Sequence, residues 1–542
     1  MTTTLIRDGI IFDGTGARPF PGHLVIENAH ITDIIHPDQG LPPADIVIDA
    51  SGCAVSPGFI DMHSHADWLL CLEENPDLLR CLVEQGVTTV VGGNCGFSPA
   101  PFREETFFRF RQHTPLLARM PDFTWETMGG FLERLDEVGM CLNIAQLVGH
   151  ASIRFAASDT MRGAMKAHEL QGCLDLLTES LEEGACGVSF GLGYEPGMYS
   201  PLEEIEAFCS VAHGKNKPMT VHLKALSVLS PTYPLFTLQP HNLLALKEMI
   251  EVSRRTGVRL QLSHFIFVGR HSFWTAERAI QMVEQARRDG IDVLFDAFPY
   301  TCGNTTISVM LPHWFLKHTP QAYRNAWMKL RLRAELELGF RLVGFMYKDF
   351  QVMDMALEGY DDLNGMRITE IAQRWRMSPF DTLLRLCELS NGSTLMLFHT
   401  YSGEPGNESV IEKVLSHELC LFETDAIIKA TGYPNPAAMG TFPVICGPLV
   451  RTRGLFSLEH AVHHSTGASA ERFGISDRGV IRAGKAADIV IFNPETISDT
   501  PPVGTKPAGR PTGINHVFIN GIHIVKDGVY DSSKRAGQVL KT

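Results

Sequence analysis

The stretch Pro57-Gly58-Phe59-Ile60-Asp61-Met62-His63-Ser64-His65-Ala66-Asp67 decides how the rest of the chain is read. Its apolar start behind a Pro-Gly pair suits a short, buried strand of a parallel sheet. Strand alternation places Phe59, Asp61, His63 and His65 on one face, with Ile60 and Met62 on the other. Two imidazoles two residues apart at a strand end can grip one metal ion from the same side, and histidine is the commonest metal ligand. The competing reading is a pair of ordinary polar residues in a turn. The remainder of the chain favours the metal.

Downstream, helix-then-strand units recur: 78–86 into 87–91, 128–137 into 142–150, 172–184 into 187–190, 203–212 into 219–222, 243–256 into 258–264, and 276–288 into 291–298. Segments 394–398 and 419–425 are also strand-like, so nine candidates compete for eight places. Such alternation implies parallel strands with helical crossovers, and this many units favour a closed (β/α)8 TIM barrel. The connection from about 303 to 393 is far longer than an ordinary loop and reads as an insertion over the barrel mouth. Residues 1–56 and 479–542 instead carry short alternating segments broken by Gly, Pro and Asp. The expected fold class is α/β: a barrel at 57–478 with a small β-sandwich domain built from both chain ends.

Composition narrows the function. The chain has 542 residues, 44% of them hydrophobic, which describes a soluble globular protein with a sizeable core. A net charge of -14 argues against a nucleic-acid partner, since no basic excess exists to neutralise phosphates. No apolar window is long enough for a membrane span, and the N-terminus lacks a signal-peptide pattern. The twelve cysteines show no C-x-x-C spacing and read as reduced thiols of a cytoplasmic protein.

Ionisable residues cluster at strand ends, where a barrel builds its active site. His63 and His65 close the first strand, Cys95 follows the second, His222 and His264 end two later ones, and Asp425 ends the last. A lone His or Cys is usually structural; six at equivalent ends are hard to ascribe to packing. Two imidazoles and a thiolate make a tetrahedral zinc shell with one place free. Cys95, His222 and His264 are therefore assigned to a tight Zn2+ site, and His63 and His65 to a second, weaker one bridged by Cys95. Nitrogen and sulfur donors are too soft for magnesium. Water in the open place would have its pKa lowered toward about 7, and Asp425 could take its proton and return it to a leaving group.

These motifs resemble the amidohydrolase superfamily and, within it, the N-acyl-D-amino-acid deacylase (D-aminoacylase) family. The resemblance rests on Pro57 to His65, Asn94-Cys95-Gly96-Phe97-Ser98, Gly149-His150, and Gly191-Leu192-Gly193-Tyr194-Glu195-Pro196-Gly197. It continues through Gln261-Leu262-Ser263-His264, Thr424-Asp425-Ala426, Gly440-Thr441-Phe442-Pro443 and Gly484-Lys485-Ala486-Ala487-Asp488. It spans nearly the whole chain and is weakest from about 310 to 390. It implies a zinc-dependent hydrolase of a small-molecule amide, with Asp425 as acid/base and pairing into a homo-oligomer open to it.

Departures from the family bear on substrate. Ile266 stands where the family has a lysine, and Ala437 where it has an arginine; both cations help hold the substrate carboxylate. The usual HxRxE has become His222-Leu223-Lys224-Ala225-Leu226, and Tyr-Pro-Tyr has become Phe298-Pro299-Tyr300. A carboxylate without those cations would be buried unpaired, which is costly. The expected substrate thus lacks the free α-carboxylate of an N-acyl-D-amino acid, although Lys224 could restore part of the charge. Tyr194, Tyr300 and His150 are further substrate-binding candidates; each has a purely structural reading too, and His399 reads as structural. Metal-dependent C–C bond hydrolysis, decarboxylation, and a non-catalytic scaffold are the competing functional readings.

Overall fold

The computed structural model describes residues 2–113, 125–429 and 431–542. Eight parallel strands are hydrogen-bonded in chain order: β1 Phe59–Asp61, β2 Val87–Gly92, β3 Asn143–Gly149, β4 Gly187–Gly191, β5 Met219–His222, β6 Leu260–Leu262, β7 Val293–Ala297 and β8 Cys420–Phe422. All six residues of β2, Val-Thr-Thr-Val-Val-Gly, are buried, as expected of a β-branched strand covered on both faces. Helices return the chain between strands; His241–Thr256, for example, ends on Gly257 in the left-handed conformation, a geometry glycine adopts without steric cost.

The barrel is nearly closed. The first and last strands meet through side chains and single backbone bonds. Thr424 donates its N–H (2.9 Å) and its hydroxyl (2.6 Å) to the two carboxylate oxygens of Asp61. The Asp425 N–H then bonds the His63 carbonyl at 3.0 Å, and Ser64 bridges Ala426. Inside, Ile60, Met62, Val91, Ala145, Leu147 and Leu421 pack together, closed below by Phe473, Ile475 and Leu540.

The strand is shorter than the alternation from Phe59 to His65 expects. The strand stops at Asp61, and its register with β2 shifts between Phe59 and Ile60. Phe59 stacks outside on Phe442, centroids 5.2 Å apart, while Ile60 and Met62 fill the interior, the opposite faces that alternation gives them. The imidazoles reach the site because the chain leaves the strand before them.

The ninth candidate strand also finds a different place. Leu395–His399 pairs antiparallel with Cys302–Thr306 and Phe350–Asp354 in a separate three-stranded sheet. With the helices Ala326–Val343, Ile368–Trp375 and Pro379–Leu389 it forms an inserted unit with its own core around Phe350, Leu383 and Met396.

Both chain ends contribute to one nine-stranded mixed sheet. Ala54–Pro57 is the join, parallel to Thr3–Ile11 and antiparallel to Ile489–Phe492. Among the described residues no helix is long and apolar enough to cross a membrane. Since Phe59 ties the barrel to that sheet through Phe442 and Phe492, Phe59→Ala is expected to cost about 3–5 kcal/mol of stability, read as a lower denaturant midpoint at unchanged activity per folded molecule.

Candidate metal centre

Six side chains from five places along the chain converge at the C-terminal end of the barrel. The Cys95 Sγ lies 3.3 Å from His63 Nε2, 3.6 Å from His264 Nε2 and 4.0 Å from His222 Nδ1. His222 Nδ1 and His264 Nε2 are 2.8 Å apart. Asp425 Oδ1 is 3.5 Å from His63 Nε2 and 3.6 Å from His65 Nε2. Donors around a tetrahedral zinc, with Zn–N of about 2.0–2.1 Å and Zn–S of about 2.3 Å, are separated by roughly 3.3–3.6 Å. Two overlapping groups fit one ion each: Cys95 with His222 and His264, and His63 with His65, Cys95 and Asp425. Their nitrogen and sulfur donors suit zinc.

Local backbone aims these groups. Cys95, His264 and Asp425 adopt φ of 56°, 32° and 44°, left-handed values that cost non-glycine residues roughly 1–3 kcal/mol and concentrate at functional sites. The Cys95 turn is held on several sides. Asp67 accepts from the Gly93 N–H at 2.8 Å, Ser189 accepts from the Gly96 N–H at 3.0 Å, and the Tyr194 hydroxyl donates to the Cys95 carbonyl at 2.7 Å. Gly93 has φ 75°, and a Cβ there would lie 2.1 Å from the Leu147 carbonyl oxygen; the turn permits only glycine.

Burial alone would push the Cys95 thiol up. The His63 charge and hydrogen bonds from His222, His264 and His63 outweigh it and hold the thiol well below its ordinary value. The imidazoles thus favour the thiolate, the form that binds metal. Burial likewise opposes charging His65, but Asp425 and Cys95 raise it to about 9. Burial works against the Asp425 carboxylate too; the His65 hydrogen bond and the charges of His264 and His63 prevail and keep it below the usual range.

Behind the donors lies a chain of polar groups that the sequence reading missed. Asp296 sits 3.4 Å from His63 Nδ1 and accepts from the backbone N–H of His264 at 2.6 Å. Its other oxygen accepts from Gln261 Nε2 at 2.7 Å, and Gln261 Oε1 accepts from buried Arg472 at 3.0 Å. Carboxylates in this position orient a ligating imidazole. Glu423 is fully buried with both oxygens unpartnered among the described residues, and burial pushes its carboxyl well up. It forms a third donor group with His63 and Asp296. A charged residue inside each apolar run, Leu294-Phe295-Asp296 and Leu421-Phe422-Glu423, was the available signal.

The remaining candidates divide. Tyr194 stands against His222, centroids 5.0 Å apart. Tyr300 donates to Asp499 at 3.0 Å and edges an apolar cluster of Ile266, Phe298 and Ala437. The Lys224 ammonium lies over the Tyr233 ring. His150 is buried, its Nε2 2.8 Å from Glu204 and its ring packed on Phe190 and Phe208. His399 bonds Gln351 in the inserted sheet.

A barrel whose strand ends gather a thiolate, four imidazoles and a carboxylate defines a class of metal-dependent hydrolases. The amidohydrolase family pattern matches residues 46–297 and 429–521, and the chain belongs to that family. It is 29% identical over 542 residues to an N-acyl-D-glutamate deacylase of Alcaligenes xylosoxydans xylosoxydans, covering 99% of this chain and 96% of that one. Against the D-aminoacylase of the same organism it is 27% identical over 538 residues, covering 99% and 97%. A crystal structure of N-acyl-D-glutamate deacylase from Bordetella bronchiseptica, complexed with zinc and a phosphonate inhibitor, superposes with a TM-score of 0.81 at 28% identity over the whole of both chains.

Two outcomes test this arrangement. Cys95→Ser should lower the zinc retained after dialysis more than tenfold, measured by elemental analysis, because a hydroxyl does not supply a thiolate at neutral pH. Gln261→Leu should destabilise the fold by about 1–3 kcal/mol, since it leaves buried Asp296 and Arg472 short of partners.

Proposed function

We propose that the chain is a zinc-dependent amidohydrolase cleaving the C–N bond of an amide that lacks a free α-carboxylate beside the scissile bond. The observation that carries this is the apolar cluster next to the donors. Ile266, two residues beyond His264, meets Phe298 and Ala437, all buried, with Leu226, Val268, Tyr300 and Tyr401 around them. Positions 266 and 437, where the resembled family has its carboxylate-binding cations, therefore present packed carbon. An anionic group lodged there would lose its hydration without gaining a partner.

In this reading Cys95, His222 and His264 hold the tighter zinc, and His63, His65 and Asp425, with Cys95, form the weaker position. When bound, zinc polarises the amide carbonyl and lowers the pKa of water. Asp425 is 21% exposed whereas His63 is 1% exposed, so it is the donor-set carboxylate open toward a substrate. Kept ionised by its imidazole neighbours, it accepts the proton of the attacking water and delivers it to the departing nitrogen. Asp296 orients His63 from behind, and the Tyr194 hydroxyl braces the Cys95 turn. The N-acyl-D-amino-acid substrates in the relatives' names identify the bond type; the side facing Ile266 and Ala437 sets the difference.

A panel of N-acyl-D-amino acids against their neutral amides tests the reading. Neutral amides should be favoured in kcat/KM by at least tenfold, with amine release separating amide hydrolysis from C–C cleavage; efficient turnover of N-acetyl-D-methionine would overturn it. Asp425→Asn should lower kcat by about 10²–10⁴-fold with a stable fold.

A further inference from the structure

The helix Ala326–Val343 of the inserted unit has two apolar faces. Leu332, Leu336 and Val343 are buried against that unit's own core. On the opposite side Trp327, Leu330, Leu338 and Leu342 are 82%, 60%, 57% and 43% exposed, with exposed Ala334 between them. Steps of three and four residues align them in one stripe along the helix. Single exposed apolar residues need no explanation; a stripe along a whole helix marks a contact surface.

The stripe reads nearly the same in both directions from Ala334. Leu330 and Leu338 stand four residues to either side, and Trp327 and Arg341 seven. Arg331 and Arg333 precede the midpoint, and Glu335 and Glu337 follow it. We propose that two copies of this chain pair through the stripe, antiparallel, about a two-fold axis beside Ala334. Leu330 then packs on the partner's Leu338, and Trp327 lies at the level of the partner's Arg341. The basic half of each helix runs along the acidic half of the other. Ala334, the smallest side chain of the stripe, sits at the crossing and lets the backbones approach. A self-complementary patch of this kind is what an isologous dimer requires.

The charges edging the stripe favour a second copy over a lipid surface: Glu335 and Glu337 would face the anionic headgroups of a bilayer, whereas in an antiparallel second copy they face Arg331 and Arg333. The 2.8 Å pairs Arg331–Glu335 and Arg333–Glu337 within each helix are exposed and contribute little; Arg331 and Glu335 also hold Trp314, and Arg333 lies over Phe380, so these charges meet the partner's in place, without leaving their own helix. The helix is about 27 Å long and the stripe about 10–12 Å wide. One copy thus covers roughly 300 Å², well under the ~800 Å² per partner of a standard interface. The dimer is accordingly weak and concentration-dependent.

Sedimentation velocity of the full chain from 1 to 200 µM should show reversible dimerisation. Leu330→Asp with Leu338→Asp should weaken association at least tenfold while leaving activity and the thermal midpoint unchanged. Arg331→Glu with Arg333→Glu gives an all-acidic helix edge, and Glu335→Arg with Glu337→Arg an all-basic one. Each should remain monomeric alone, and the two should pair when mixed. Ala334→Cys should crosslink to its own copy on mild oxidation, because the twelve native cysteines include none that is exposed. A wild-type chain that stays monomeric at 200 µM would overturn the proposal. So would dimers insensitive to these changes, or a monomer that binds phosphatidylserine vesicles through the stripe.

Discussion

The Cys95 thiolate, buried among three imidazoles, is the constraint on which the rest of the site depends. An isolated thiolate in this interior would be costly; it persists because His63, His222 and His264 approach it from separate strand ends. Each imidazole in turn needs a fixed backbone. That requirement explains why the ligand-bearing turns carry left-handed residues and why so many polar groups lie immediately behind them. Asp67, Ser189 and Tyr194 hold the cysteine turn, while Asp296 restrains His63 and His264 together. The strained conformations are kept by these bonds, which supplies the pre-organisation a metal site needs.

Barrel closure and site assembly are one event. No full ladder joins the ends of the sheet; the seam is made by Asp61 with Thr424 and by the His63 carbonyl with the Asp425 N–H. The contact that shuts the barrel therefore also sets the distance between the first-strand imidazoles and the last-strand carboxylate. A distortion of the seam would reach the proposed acid/base directly. Burial pushes the Asp61 carboxyl up to about 6, despite the two hydrogen bonds from Thr424, which marks how dry the seam is.

In the proposed reading, specificity resides in what surrounds the donors. Beside the donors, the loops after β5, β6 and β7 bring Leu226, Ile266 and Phe298 together with Ala437 from a distant helix. The inserted unit stands on its own core, which frees the outer face of its long helix from any role in folding the barrel.

The chain order of strands and helices, the two-ended β domain and the candidate donors that converge at the strand ends were legible from residue type and spacing, because burial on both faces and the chemistry of His, Cys and Asp leave marks in the linear order. His63 and His65 lie beyond the end of the strand assigned to them, since a register shift and an early strand end are not encoded in alternation. Segment 394–398 has the composition of a barrel strand, and only pairing with Cys302–Thr306 assigns it elsewhere. The link from Asp296 through Gln261 to Arg472 was not legible for the same reason: it joins residues up to 211 positions apart. Residue identity by itself determined which chemistry the protein can perform; tertiary structure decided which groups meet, because distances across a closed barrel depend on every strand between them.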